Sequence, residues 1–335
     1  MSQQENRAMR TETRFFLLER PQEKGVLAAG KAALRWLQAG KYRLLLNRAA
    51  KDDRIRNAQE KKYKVSICAI FKDEDEFLKE WMEYHLLVGV DHFYMYNNNS
   101  TDRYLEILKP YMDAGWVTLV DWAAPHAQMA AYADAIEKFA GETKWMGFID
   151  LDEFVVPTKG ERIYPVLEPF NDKAGAVAVY WKYFGSSGLE RRDPEKLVTE
   201  QFTTAYPKYL DIGKCFYNTD FEFGGDITGK NNVLHHVLWC RWKGKDIPPV
   251  NLQNRVSFMN HNVLRGDDLP LQLNHYVTKA REDYIRKMNA KTDVFFEKNP
   301  RSIPQFEAID KRCTGKDEKI LRFLPELKSK LEGKR

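Results

Sequence analysis

The chain reads as an α/β protein, a mostly parallel, doubly wound sheet preceded by a helical arm. Three observations carry that reading. From Tyr63 onward, strand-like and helix-like segments alternate in a β-α-β-α-β-α-β order, the pattern of a parallel sheet covered by helices. The strand candidates are near-continuous apolar runs, as expected of strands buried on both faces. The fourth of them ends in acidic residues, at the rim where such sheets bind ligands.

Each element has its own grounds. "KVSICAIF" (Lys64–Phe71) is β-rich throughout. Asp73–Gly89 predicts a helix: its first turn is acidic, which suits the helix dipole, and Phe77, Trp81, Tyr84 and Val88 recur at helical spacing before a glycine that can end it. "HFYMY" (92–96) is the second strand. In "NNNSTD", Ser100 or Thr101 offers helix-capping chemistry for "RYLEILKPYMDAG". "WVTLVDW" (116–122) is a strand, Gln128–Phe139 a helix, and "WMGFID" (145–150) the fourth strand. "AVAVYWKYFGSSG" runs from strand into glycine loop, the stretch from Lys214 to Trp242 reads as strands and loops with Lys214 in a glycine turn, and "AREDYIRKMNAK" is helical.

The 335 residues suffice for one large domain or two smaller ones, with 43% hydrophobic and 30% charged residues, an ordinary globular balance. The net charge of +5 is uneven: Met1–Lys62 holds 15 Lys/Arg against 7 Asp/Glu, a net of +8, and the remainder is −3. A basic arm on an acidic body points to an anionic partner for the arm and away from a nucleic-acid-binding domain. Residues 24–51 place Leu27, Leu34, Leu37, Tyr42, Leu45 and Leu46 among Lys31, Arg35, Lys41, Arg43 and Arg48. This predicts an amphipathic helix pair, broken near Gly40. Two readings of it stand open: it packs on the protein, or it lies on an anionic bilayer. Cys68, Cys215, Cys240 and Cys313 form no CxxC pair, as befits buried reduced thiols. There is no signal-peptide pattern and no run of 18 apolar residues. The expectation is a cytoplasmic protein, peripheral on the inner membrane face if the arm meets the bilayer.

"WMGFIDLDEFVVP" poses the functional question, because burying an unpaired charge is costly. Asp150 and Asp152, two apart on an extended segment, face the same way, about 6.6 Å apart along the backbone. Like charges that close call for a cation, and oxygen ligands suit Mg²⁺ or Mn²⁺, which would also bridge nucleotide phosphates. A capped turn with solvated acids is the structural alternative. Lys72, Asp73 and Glu74 end the first strand at the same rim, and the "NNNSTD" loop ends the second. Amides there suit base and ribose, and acids suit a metal.

"CAIFKDEDEFLKEWMEYHLLVGVDHFYMYNNNSTD", "FIDLDEFVVP", "YFGSSG" and "LNHYVTKAREDYIRKM" together resemble the successive blocks of the family-92 glycosyltransferases and related bacterial glycosyltransferase-2-like proteins. The resemblance spans about Lys64 to Lys291. It implies a GT-A-like fold for residues 63–291, between the arm (1–62) and a C-terminal helical extension (292–335). It also implies a UDP-sugar donor, often UDP-galactose, a divalent metal and transfer with inversion. On it, Asp150 and Asp152 would bind metal and diphosphate, and His275 would complete the metal site, its imidazole favouring Mn²⁺. Any of Lys214, Lys279 and Lys287 could neutralise the departing diphosphate; the other reading of each is a solvent-exposed lysine. Asn97, Asn98 and Asn99 would contact uracil or ribose, as their loop resembles the "DDGSTD" loop of related transferases. The family's usual KNE is here Lys72-Asp73-Glu74, and Leu189 stands where a His is common.

A base must take the proton from the acceptor hydroxyl. Glu190, after the glycine loop, and Asp220, with Glu222 in "NTDFEFGG", are the candidates. Tyr180, Trp181, Tyr183 and Phe184 read either as a sugar-stacking platform or as a core strand. The expected activity is metal-dependent glycosyl transfer from a UDP-sugar to a glycan or lipid-linked acceptor, in surface polysaccharide synthesis. Two rivals are a non-catalytic carbohydrate- or membrane-binding protein and a DxD phosphatase. The phosphatase would need its motif on the first strand.

Overall fold

The computed structural model describes residues 26–125, 128–224, 236–258, 269–289 and 301–333. The first 25 residues of the predicted arm and residues 292–300 of the predicted extension lie outside them. In chain order the main elements are α1 (Val26–Ala49), β1 (Tyr63–Phe71), α2 (Asp75–Leu87), β2 (His92–Asn97), α3 (Tyr104–Asp113), β3 (Val117–Asp121), α4 (Gln128–Phe139), β4 (Thr143–Phe148) and β5 (Glu153–Pro157). The second half adds β6 (Ala176–Tyr183), β7 (Gly213–Asn218), β8 (Val250–Asn251), β9 (Leu271–His275), α5 (Arg281–Asn289), α6 (Ile303–Asp310) and α7 (Leu324–Leu331).

A nine-stranded sheet runs in the order β3-β2-β1-β4-β7-β6-β9-β5, with β8 beside β6. The first four strands are mutually parallel, the 3-2-1-4 half of a doubly wound fold. The predicted α/β class is therefore observed, and every predicted element of this half is present. The second half is mixed: β7 enters antiparallel between β4 and β6, and β9, parallel to β6, carries antiparallel β5 at its outer side. Two strands that are neighbours in sequence, β4 and β5, thus stand four places apart. A flat sheet would separate them by about 19 Å. The link between them is only a turn, closed by the Glu153 amide on the Asp150 carbonyl (3.0 Å), so the sheet curls to bring their ends together.

The curl is held by α2. Inside it, the Trp81 indole donates to the Glu153 carbonyl (2.8 Å) and the Tyr84 hydroxyl to the Val155 carbonyl (3.2 Å). His85 Nδ1 bonds the Trp81 carbonyl while Nε2 accepts the Val155 amide. Burial pushes this imidazole down to about 3, so it stays neutral and keeps that acceptor.

Several local expectations are corrected. Helix α1 runs unbroken through Gly40, since one glycine costs a helix only about 1 kcal/mol. Leu45, Leu46 and Ala49 are buried against the body, whereas Leu34, Trp36, Leu37 and Leu44 are exposed. Helix α3 is not capped by Ser100 or Thr101: the Asp102 carboxylate accepts the Tyr104 amide (3.3 Å). Tyr180, Trp181, Tyr183 and Phe184 are all buried and form core strand, not an open platform. All four cysteines are buried and unpaired. From residue 301 the C-terminal part is tied to the body by pairing of Gly315–Lys316 with Thr204–Ala205 and by Lys79 Nζ on the Leu331 carbonyl (3.0 Å). Among the described residues no helix is long and apolar enough to cross a membrane.

Gly213 opens β7 where the backbone of β6 presses close: a Cβ there would lie 1.9 Å from the Val179 carbonyl oxygen. Gly213→Ala is expected to cost about 2 kcal/mol or more, the scale of core overpacking, and to melt several degrees lower in calorimetry. An unchanged melting temperature would mean that β6 and β7 are farther apart than described.

Candidate active site

Curling places the ends of β4, β6 and β9 and the start of β5 on one rim. His275 ends β9 directly beside Glu153 and Tyr183, and β7 delivers Lys214 from the opposite direction. Lys214, predicted in a glycine turn, is a strand residue whose side chain is fully buried. Its Nζ stands 2.7 Å from Asp150 Oδ2 and 3.5 Å from Glu153 Oε2. The remaining oxygens are also engaged. Asp150 Oδ1 accepts from Gln128 Nε2 (3.0 Å) and the Tyr132 hydroxyl (3.2 Å). Glu153 Oε1 accepts from the Trp181 indole (2.6 Å), and Oε2 from the Asp150 amide (3.0 Å). Burial works to lower the Lys214 pKa, but the Asp150 and Glu153 carboxylates carry it above its ordinary value. Glu153 is pushed up to about 7 by burial, with Lys214 acting against the shift and Asp150 adding to it.

A second group adjoins the first. Asp152 Oδ1 stands 3.5 Å from His275 Nε2, and Asp152 Oδ2 stands 3.5 Å from Lys287 Nζ. Lys287, on α5, also pairs with Glu74 Oε1 at 2.8 Å. Burial would raise the Asp152 pKa, yet Lys287 and His275 hold it well below the usual carboxylate range. Lys279 lies just before α5 rather than on it, in the left-handed region (φ +49°). It is 3% exposed, and its ammonium lies 3.9 Å over the Phe77 ring with no hydrogen-bond partner. Burial, and then Lys287, lower it to about 8.

The expected residues divide accordingly. Asp150, Asp152, Glu74, Lys214, Lys279 and His275 are brought together, with Lys72 half-buried at the end of β1 on the same rim. The amide donors of Asn97 and Asn98 are engaged within the fold. Asn97 Nδ2 serves the Tyr104 hydroxyl and Asp121 Oδ1, and Asn98 Nδ2 the Trp122 and Ala124 carbonyls. Asn99 likewise donates to the Ala123 carbonyl. Asp220 is corrected. It follows β7 at the opposite end of the sheet, where Lys144 at the start of β4 pairs with it, and β4 alone is about 20 Å long. Glu190 is exposed on the loop after β6. Its carboxylate stands 3.8 Å from Arg281, and its carbonyl accepts the Glu282 amide at the start of α5. Glu153, Gln128 and Tyr132 were missed as site residues, as was the role of Trp181 as hydrogen-bond donor to Glu153. The available signal for Glu153 was an acid opening an otherwise apolar strand, "EFVVP".

The three expected metal ligands do not converge. Asp152 and His275 are close enough for one ion to bridge, but both Asp150 oxygens face Lys214, Gln128 and Tyr132. Among the described residues no group of three His, Cys, Asp or Glu is arranged to hold a metal. The donor set as placed does not fit a DxD-bound divalent ion, and lysines stand where its charge would be. The DxD phosphatase reading also fails, since the motif follows β4, not the first strand, and its first Asp is occupied by Lys214.

Glu153 gives a pH signature. In the folded state it keeps its proton up to about 7, against an ordinary 4.5; the unfolded chain releases it earlier. Its contribution to stability therefore falls as pH rises from about 4.5 to about 7 and is level above. Glu153→Gln removes that dependence. The melting temperature of the variant relative to the wild type is expected to rise across this window; a difference independent of pH would contradict the buried acid.

Residues 61–220 match the glycosyltransferase family 92 model. A glycosyltransferase family 92 protein of Ricinus communis is 32% identical over 148 residues, 43% of this chain and 27% of that protein. The beta-1,4-galactosyltransferase galt-1 of Caenorhabditis elegans is 32% identical over 206 residues, 55% of this chain and 46% of that one. The chain thus spans less than half the length of these relatives. Among solved structures, S. aureus TarS is similar at a TM-score of 0.35 and 10% identity, over 69% of this chain and 67% of that one, a likeness too loose to carry an argument. The 3-2-1-4 strands and the acidic turn after β4 lie within residues 61–220, the segment that matches the glycosyltransferase family 92 model.

Proposed function

We propose that the chain transfers a glycosyl group from a nucleotide-sugar to a hydroxyl of a glycan or lipid-linked glycan. The observation that carries the proposal is the pair Asp150 and Asp152, held by Lys214, Lys287 and His275 at the strand ends of a chain whose residues 61–220 match the family 92 model. UDP-galactose is the proposed donor, supported by the galactosyltransferase name of the Caenorhabditis elegans relative. In this reading the acidic turn orients the donor sugar and its phosphates. The ammonium groups of Lys287 and Lys279 stabilise charge growing on the departing diphosphate. Of the two candidate bases Glu190 alone lies at this rim, solvent-exposed and next to α5, and we assign it removal of the acceptor proton. Attack from the face opposite the diphosphate gives inversion. We further propose that α1 rests on the anionic inner face of a membrane, where surface polysaccharide is assembled. Leu34, Leu37 and Leu44 are exposed there beside Lys41 on one side of the helix, a basic and apolar face suited to an acidic bilayer.

The test is a thermal-shift series on the full chain in Mn²⁺-containing buffer with UDP, GDP, CMP and UDP-sugars, repeated on Asp152→Asn. A ligand at a hundred times its Kd stabilises by about 2.7 kcal/mol. UDP and UDP-galactose are expected to raise the melting temperature by several degrees, and Asp152→Asn to abolish the shift. No shift with any nucleotide would contradict the transferase reading.

A further inference from the structure

The acidic rim already carries its own cations. Asp150 is answered by buried Lys214, while Asp152 and Glu74 share Lys287. Carboxylates this close need positive charge between them, and here the chain supplies it from β7 and α5. A divalent ion between Asp152 Oδ1 and His275 Nε2 would lie beside the Lys287 ammonium on the other Asp152 oxygen. The ammonium groups of Lys287 and Lys279 repel a cation there and attract a diphosphate. Two further features point to an anionic ligand. Lys279 keeps an ammonium buried without any hydrogen-bond acceptor, a costly state unless a ligand offers one. Lys287 keeps about a quarter of its side chain open, 26%, so it can turn from Asp152 toward an incoming phosphate.

Resting on the nucleotide-sugar reading, we propose that Lys287 and Lys279 are this chain's built-in counter-ions for the donor diphosphate. Lys287 holds Glu74 and Asp152 in the empty site and turns onto the diphosphate when the donor arrives, Lys279 accepts the second phosphate, and the donor binds without a divalent metal. Lysine suits the part because its ammonium is a point charge on a flexible four-carbon stem.

Calorimetric titration of the full chain with UDP, in EDTA and in Mn²⁺, tests this. The expected result is binding in EDTA with an affinity within about threefold of that in Mn²⁺. One charge-assisted hydrogen bond corresponds to roughly tenfold in affinity or more. Lys287→Met is therefore expected to weaken binding in EDTA by at least about tenfold, and Lys287→Arg to restore most of it. Lys279→Met, which keeps the stem against Phe77 and deletes a buried ammonium that has no hydrogen-bond partner, is expected to fold about as stably as the wild type. It is also expected to lose about tenfold in UDP affinity, which keeps the test decisive should Lys287→Met not fold. Binding in Mn²⁺ but not in EDTA would overturn the lysine proposal and leave the transferase reading intact. So would EDTA-resistant binding that survives in either Met variant. No UDP binding in either condition would overturn both.

Discussion

A lysine ammonium with no exposed surface, held between two carboxylates, is the constraint on which the rest of this site depends. Lys214 cannot be buried alone, so Asp150 and Glu153 must stand within reach of it. That requirement links three strands: β7, which carries the lysine, β4, which ends just before Asp150, and β5, which begins at Glu153. The antiparallel entry of β7, the tight turn at Asp150–Glu153 and the curl of the sheet all meet in this one cluster. Glu153 does not face an acceptor; it is sealed by Trp181 and the Asp150 amide. Its part is to fix the turn from which Asp152 projects.

Around that centre the structure adds supports in order of distance. Helix α2 fastens β5 through Trp81, Tyr84 and His85. The loops after β1 and β2 lace together, with Asp73 Oδ1 accepting the Thr101 amide (2.7 Å) and Asp102 Oδ2 the Asp75 amide (2.8 Å). Helix α5 then closes the rim with Lys287. Rigid strands and mutually bonded loops thus surround the two long lysine side chains, Lys279 over Phe77 and Lys287 between Glu74 and Asp152.

Much of this was legible in the sequence because it is local. Apolar runs and helical spacing reveal β1 to β4 and the helices between them, and a strand ending in Asp-Leu-Asp reveals an acidic rim. The unreadable part is what distant segments do to one another. Lys214 lies 64 positions from Asp150 on a strand whose insertion between β4 and β6 no periodicity announces, so nothing in the sequence signals the ammonium beside Asp150. The same gap misplaced Asp220, which shares the chemistry of a base but lies at the far end of the sheet. Asn97 and Asn98 looked like ligand contacts because carboxamides serve a nucleotide and a tight loop equally well. Tyr180 and Trp181 could be read either as platform or as core because nothing local shows that β6 is covered on both faces.

The most direct measurement is a double-mutant cycle on folding stability at about pH 8, where Glu153 is ionised, with Lys214→Met, Glu153→Gln and the pair. Removing one partner of a buried ionic group costs about 3–5 kcal/mol. Lys214→Met alone should show a loss of that order, and a clearly smaller one when Glu153 is already neutral. A coupling of at least about 1 kcal/mol is the result the account requires. Additive losses, with no measurable coupling, would show that Lys214 and Glu153 do not depend on each other and would contradict the buried lysine as the organiser of the site.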